Sequence, residues 1–269
     1  MGRLEAAFDK RASEGKRVLV AYLCVGDPSE EESVDLALAC AEAGADVLEL
    51  GCPFSDPTAD GAAIARAAQR ALAKGGGLDA TLRVARAVRD KSEVPIVLFG
   101  YYNPLFVRGD EEAMVISAAA GIDALLVVDV PVDESLALRA TAAASGMAVI
   151  PLVAPTTTPD RVALVGDVAK RFPVPFVYYV SMTGVTGGSG AEAVLAEAGD
   201  AAARVREATG RPTVVGFGID TPSRARLAAA KADGIVVGSA IVRRIEDGQT
   251  PEERVAGVRA LVGSLRAAI

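Results

Sequence analysis

The chain contains no histidine. That absence removes hydrolases whose serine or cysteine nucleophile leans on an imidazole, metal centres built on His ligands, and His proton shuttles. Acid–base chemistry is left to carboxylates, tyrosine or lysine. Lysine is missing from the places where it would act as a nucleophile: Lys10, Lys16, Lys74, Lys91, Lys170 and Lys231 all fall on helical segments or their flanks. A Schiff-base aldolase is therefore not expected, and a carbon–carbon lyase on this chain would need its electron sink in the substrate. The three cysteines, Cys24, Cys40 and Cys52, have neither metal-ligand spacing nor an even count, and read as reduced thiols of the cytosol. Cys24 and Cys52 lie near strand ends, where a reactive role is conceivable and small apolar filler is the expected one. No apolar signal core follows Met1 and no apolar run approaches membrane-spanning length, so a cytoplasmic protein without membrane association is expected. Net charge is −7 and no basic stripe interrupts it, which argues against a nucleic-acid partner. No Ser- or Gly-rich linker divides the 269 residues, of which 51% are hydrophobic, so residues 1–269 read as one domain with an ample core.

What is present is a repeated unit. An amphipathic opening segment (Leu4 and Phe8 among Arg3, Lys10 and Arg11) leads to the apolar run 18–23. Gly26-Asp27-Pro28-Ser29 stops that run, and Ser29 with Glu32 forms a capping box for a helix to about Ala43. Further strand cores follow near 47–50, 96–99, 124–128, 148–152, 176–180, 213–216 and 235–237. Between them run Ala-, Leu- and Arg-rich helical segments at 62–73, 80–89, 111–120, 135–144, 159–171, 191–208 and 223–230. Uniformly apolar strands alternating with helices predict a parallel sheet covered on its outer face. About eight such units predict an α/β fold of the (βα)8 TIM-barrel type with an extra N-terminal helix. An open doubly wound sheet competes, but no GxGxxG opens a first strand–helix turn. Asp46, Asp123 and Asp233 each stand at a strand start, the structural end of a barrel, and are expected to serve the fold.

In a closed barrel the chemistry sits at the C-terminal ends of the strands. The stretch Glu49-Leu50-Gly51-Cys52-Pro53-Phe54-Ser55-Asp56-Pro57-Thr58-Ala59-Asp60-Gly61 begins where the second apolar strand runs out. A Glu on the last residues of a strand can be held still over a cavity, and a loop punctuated by Pro and Gly can bring a second acid, Asp60, to face it. Two carboxylates so placed suit proton transfer at two points of a small substrate. Glu49 interrupts an apolar strand, where an unpartnered carboxylate is costly to bury, so a purely structural role is not expected of it. Asp56 is balanced between function and a solvated loop with a capping Asp before the helix from about Ala62. The late strands contribute glycines instead: 184–190, Gly216-Phe217-Gly218-Ile219 and Val237-Gly238-Ser239-Ala240. Glycine permits close backbone approach, and the turn after Gly238 opens a short helix whose free N–H groups favour phosphate. The 184–190 loop is long enough to act as a lid.

The stretch from Glu49 to Gly61 closely resembles the signature of the tryptophan synthase alpha chain family. The resemblance continues through Gly26-Asp27-Pro28, Tyr102-Asn103-Pro104, Asp129-Val130-Pro131, Tyr178 with Gly184-Val185-Thr186-Gly187, Gly216-Phe217-Gly218-Ile219 and Gly238-Ser239-Ala240, and covers essentially the whole chain. It implies a (βα)8 barrel that cleaves indole-3-glycerol phosphate to indole and glyceraldehyde 3-phosphate without metal or organic cofactor. Indole then passes to a beta chain in an α2β2 assembly, and pyridoxal phosphate is expected only in that partner. The resemblance makes Glu49 the general acid–base, protonating indole C3 and taking the glyceryl hydroxyl proton, and Asp60 the group that stabilises positive charge at the indole nitrogen. It makes Gly187, Gly218, Gly238 and Ser239 phosphate ligands, sets Tyr178 near Glu49 and Tyr22 in the indole pocket, and has Thr186 on the lid meet Asp60 when the site closes. It places the beta chain against the top-face loops containing Pro53, Asp56 and Pro57, and Asn103 and Pro104.

The sequence departs from the family pattern at Ala21 and Ala62, each in place of a usual proline, at Cys24 in place of threonine, and at Met182-Thr183, where many members have Arg-Ala. None of these removes a proton carrier or a phosphate ligand; they bear on loop stiffness and partner fit. Three other readings stand beside the catalytic subunit: a stand-alone lyase releasing free indole, a non-catalytic activating subunit, and a phosphate-binding barrel isomerase that works without His.

Overall fold

The computed structural model describes residues 2–181, 191–216 and 218–269. Its strands are β1 (Val18–Cys24), β2 (Val47–Gly51), β3 (Ile96–Gly100), β4 (Ala124–Val127), β5 (Ala148–Val149), β6 (Leu152–Val153), β7 (Val177–Val180), β8 (Thr213–Gly216) and β9 (Gly234–Val237). All pair in parallel, in the order β5-β4-β3-β2-β1-β9-β8-β7-β6. The two ends of that order are consecutive in the chain, separated only by Ile150 and Pro151, so β5 and β6 are halves of one stave and the sheet closes on itself with eight. Pro151 has no N–H to give a ladder, which is why the stave is interrupted. Closure survives the interruption: Ile150 N–H donates to the Leu125 carbonyl at 2.8 Å, and Tyr178 N–H to the Pro151 carbonyl at 3.0 Å.

Both faces of every stave are buried, and this is what makes the strand sequences continuously apolar rather than alternating. Val18, Val20, Val47, Val97, Leu126, Ile150, Phe176 and Val214 share the interior. The intervening residues, among them Leu19, Leu48, Leu98, Leu125 and Val215, pack outward against the helices. The opening helix Arg3–Ser13 closes the end of the barrel where the strands begin: Leu4 and Phe8 join the interior, and the Phe8 ring stacks on Phe176 with centroids 5.2 Å apart. No helix among the described residues is long and apolar enough to cross a membrane.

The three aspartates at strand starts perform one operation three times. Each backbone N–H donates to the carbonyl of a residue on the neighbouring stave, and each carboxylate accepts the N–H of that same residue: Asp46 with Leu19, Asp123 with Ile96, Asp233 with Thr213. Arginines complete each set: Arg206 for Asp233, and Arg89 together with Arg3 of the opening helix for Asp123. Asp46 also takes two, Arg11 of the opening helix at 2.6 Å and Arg266 at 2.9 Å. Arg266 ends the helix Pro251–Arg266, which strand-and-helix counting did not anticipate.

A second difference concerns Asn103 and Pro104, expected on a loop. They lie in the helix Tyr102–Arg108. Pro104 is its third residue, where no intrahelical N–H is required, so a residue that reads as a turn signal is tolerated within the first turn.

Asp46→Ala would strip acceptors from the Leu19 N–H and from two largely buried guanidinium groups. The expected cost is about 2–4 kcal/mol of unfolding free energy in urea titration, with the far end of the barrel unaltered. A loss below ~1 kcal/mol would mean that the carboxylate is not a clasp.

Candidate active site

Glu49 is the third residue of β2 and shares the inward phase with Val47. It is 1% exposed, and among the described residues neither carboxylate oxygen has a hydrogen-bond partner. Burial alone drives its pKa up to about 8, so at neutral pH this carboxyl holds its proton. An orphaned acid at the C-terminal end of an otherwise apolar stave has no role in holding the sheet together.

Two tyrosines flank it. Tyr22 is the register partner of Glu49 on β1, and its ring makes an edge contact with Phe99, centroids 5.1 Å apart. Its hydroxyl lies across Gly51, where a Cβ would come within 2.4 Å of the oxygen. Tyr178 on β7 lies across Gly216 in the same way, a Cβ there reaching 2.0 Å from its hydroxyl. Burial raises the pKa of both hydroxyls, and the Glu49 charge raises each further. The Asp60 charge also bears on Tyr22, so the tyrosine lies within electrostatic reach of both acids.

Asp60 is half-buried, and burial lifts its pKa to about 6 against the opposing pull of the Tyr101 hydroxyl. The next helix, Ala62–Leu72, is capped by Gly61 without a side-chain bond, so the Asp60 carboxylate is not spent on a helix end. Tyr101 follows β3 directly and anchors the loop: its hydroxyl accepts the Ala59 N–H at 2.9 Å and its ring packs on Phe54 with centroids 5.1 Å apart. Sequence reading counts Tyr101 among the aromatics that follow the early strands without giving it a specific role, and gives Phe99 none. The signals were there, since Tyr101 is the first residue beyond a strand and Phe99 is in phase with the inward Val97.

On the opposite side, Gly238 caps the helix Ser239–Asp247, which has no side-chain cap and no acid in its first turn. Its free N–H groups therefore begin at half-buried Gly238 and Ser239. Gly218 has φ +73° and open space where a Cβ would stand. Thr186 and Gly187 lie outside the described residues, with the rest of the expected lid.

Of the expected top-face residues, Asp56 and Asn103 are exposed and Pro57 and Pro104 half-buried. Pro53 is buried: a Cβ on Gly76 would lie 3.1 Å from its Cγ, so it shapes the loop from below and offers no surface. Phe106 and Val107, on the same helix as Asn103, are 66% and 77% exposed, an apolar pair that sequence reading passed over as loop. Cys24 and Cys52 are buried thiols, Cys52 pushed by burial up to about 11 and Cys24 higher still, which fits filler rather than nucleophile.

Comparison with known proteins points one way. The family model for the tryptophan synthase alpha chain matches residues 8–269. The tryptophan synthase alpha chain of Geobacter sulfurreducens is 44% identical over 270 residues, spanning 100% of this chain and 99% of that one. Among solved structures, the alpha subunit of Legionella pneumophila superposes with TM-score 0.88 at 32% identity, over 100% of this chain and 98% of the other. A chain from the tryptophan synthase α2β2 complex of Pyrococcus furiosus, a complex described as mutually activating, superposes with TM-score 0.80 at 32% identity, over 92% of this chain and 97% of that one.

The raised pKa of Glu49 carries a linkage with a definite sign. Between the ordinary carboxylate range and about pH 8 the folded chain holds a proton that the unfolded chain has released, so stability falls as pH rises across that window. The expected slope is up to about 1.4 kcal/mol per pH unit, and between about pH 6, where Asp60 has already ionised, and pH 8 it should vanish in Glu49→Gln, which has no proton to lose. Urea unfolding of both proteins at a series of pH values checks this; parallel profiles would contradict it.

Proposed function

The chain belongs to the tryptophan synthase alpha chain family, and from that membership we propose that Glu49 and Asp60 perform the cleavage step. The protein is a lyase acting as an alpha subunit, splitting indole-3-glycerol phosphate into indole and glyceraldehyde 3-phosphate. One observation carries the assignment of its chemistry: a fully buried carboxyl near a strand end, unpartnered among the described residues, with a second acid of lower pKa on the loop that follows the same strand.

In the proposed sequence, protonated Glu49 gives its proton to indole C3, and the ring becomes a cation with its charge centred on the nitrogen. Asp60, ionised at neutral pH, stabilises that charge. Glu49, now a carboxylate, takes the proton of the glyceryl hydroxyl. The carbon–carbon bond breaks, its electron pair returns to the ring, and the aldehyde forms as the indole ring is restored. The substrate thus serves as its own electron sink, in keeping with the lack of a strand-end lysine. Tyr22, Phe99 and Tyr178 wall the indole side. Gly187, Gly218, Gly238 and Ser239 receive the phosphate, three late-strand segments pooling backbone N–H groups at a helix start. Thr186 is assigned to closure over Asp60.

The same reading makes the chain one barrel domain of an α2β2 assembly in the cytoplasm, with pyridoxal phosphate confined to the beta partner. Asp56, Pro57, Asn103 and Pro104 form the docking face, and the exposed Phe106 and Val107 extend it with apolar area suited to burial against another chain.

Indole release should follow a bell-shaped pH profile, rising near 6 as Asp60 ionises and falling near 8 as Glu49 loses its proton. Glu49→Gln should lose about 10²–10⁴-fold in kcat, and Asp60→Asn about 10²–10³-fold. Full activity in Glu49→Gln would remove it from the chemistry. In a separate experiment, Phe106→Glu should weaken affinity for a beta chain about tenfold or more in titration calorimetry while leaving the lone chain's cleavage rate unchanged.

A further inference from the structure

The interrupted fifth stave borders a second cavity. It has a volume of about 220 Å³ and lies between the end of β4, the β5–β6 break and the helices Leu136–Ala144 and Pro159–Arg171. Its walls are mixed: Val132, Leu138, Val149 and Val165 form an apolar side, Ser135 and Thr157 are polar, and two cations line it, Arg161 at the surface and Arg139, which is 2% exposed. Arg139 donates from Nε to the Ser135 hydroxyl at 2.7 Å and from Nη1 to the Val149 carbonyl at 2.6 Å. Both acceptors are neutral. Among the described residues no carboxylate pairs with Arg139, and its Nη2 has no acceptor. Burial lowers its pKa to about 10, which leaves it charged at neutral pH.

This arrangement is unusual energetically. A buried charge is ordinarily paired, since its desolvation is otherwise uncompensated. The neighbouring Arg161 shows the ordinary case, at the surface and bound to Asp133 at 2.6 Å. Asp129 lines the cavity too, but it is exposed and one of its oxygens accepts the Tyr102 N–H at 2.9 Å. Arg139 is left as a buried positive charge with one unused donor, facing a space large enough for about seven waters or an acid of that size.

We propose that this cavity binds a small organic monocarboxylate, its carboxylate on Arg139 and a branched or aromatic body against Val132, Leu138, Val149 and Val165. The walls decide the class. Arg161, the other cation of the lining, is already held by Asp133, and the carboxylate of Asp129 opposes a second negative charge, so a dianion such as phosphate or sulfate is disfavoured. A single carboxylate with a hydrocarbon body satisfies both the cation and the walls. Glu49, Asp60 and Tyr22 do not line the cavity.

The test uses the intact chain with methyl-labelled Val and Leu, titrated with 3-methylbutanoate and followed by NMR. Saturable shifts are expected at Val132, Leu138, Val149 and Val165, with Val47 and Val97 beside Glu49 unmoved. The uncharged 3-methylbutanamide should bind at least about tenfold more weakly, a difference of ~1.4 kcal/mol. Absence of saturable shifts, equal binding of acid and amide, shifts centred on Val47 and Val97, or tighter binding of sulfate at the same methyls would each overturn the proposal. Arg139→Met should cost the acid tenfold or more in affinity, and undiminished binding in that variant would refute it. Because Arg139 also ties its helix to the fifth stave, the acid-against-amide comparison on the unmodified chain stands as a test even if the variant does not fold.

Discussion

The structure turns on the desolvation of one carboxyl group. Glu49 is held in the barrel interior with no hydrogen-bond partner among the described residues, and water would relieve the cost of its charge at once if it could reach it. The closed sheet keeps that relief away. Eight parallel staves, a plug of Leu4 and Phe8 at one end and tyrosines at the other make a dry chamber in which the neutral acid is the stable form. Backbone ladders, strand-start aspartates and helix packing can all be read as the means by which a small volume is kept apolar enough to shift one proton.

Asp60 shows the complementary condition. It sits on the loop after the same strand, half-buried, with the Tyr101 hydroxyl easing its ionisation. Two chemically similar acids therefore rest in opposite protonation states at neutral pH, and the difference comes from the element that carries each: a strand for the acid that must stay dry, a loop for the one that must stay charged. Tyr101 joins the two, because it extends from the strand beside Glu49 and holds the loop that bears Asp60.

Much of this was legible in the sequence. Continuous apolar runs separated by helices forecast a closed parallel sheet, and an acid within such a run marked itself as out of place. The aspartates before three strands were assignable to the structural end because each stands at a strand start. Less legible were features that depend on three-dimensional neighbours. Pro104 reads as a turn residue, and only its position in the first turn of a helix reconciles it with one. Pro53 looked like part of an exposed loop because nothing in its local sequence reveals Gly76 beneath it. Arg139 resembles any arginine on an amphipathic helix; its lack of a countercharge appears only when the fifth stave is folded against it. Local pattern specifies elements and their phase, whereas burial without a partner is a property of the assembled fold.

The contacts of Tyr178 with Gly216 and of Tyr22 with Gly51 also order the routes by which such a pocket can change. A side chain cannot enter at Gly216 while the tyrosine lies across it, so the glycine is frozen until the aromatic ring is first exchanged for something smaller. Once that exchange occurs, the glycine position becomes free to vary and can refill the space with a group of different shape. Lineages that reshape this chamber would therefore take the two steps in one direction, tyrosine before glycine, and so would a laboratory selection for a different aromatic substrate. The pocket carries its history as a sequence of permitted substitutions rather than as a set of independent sites.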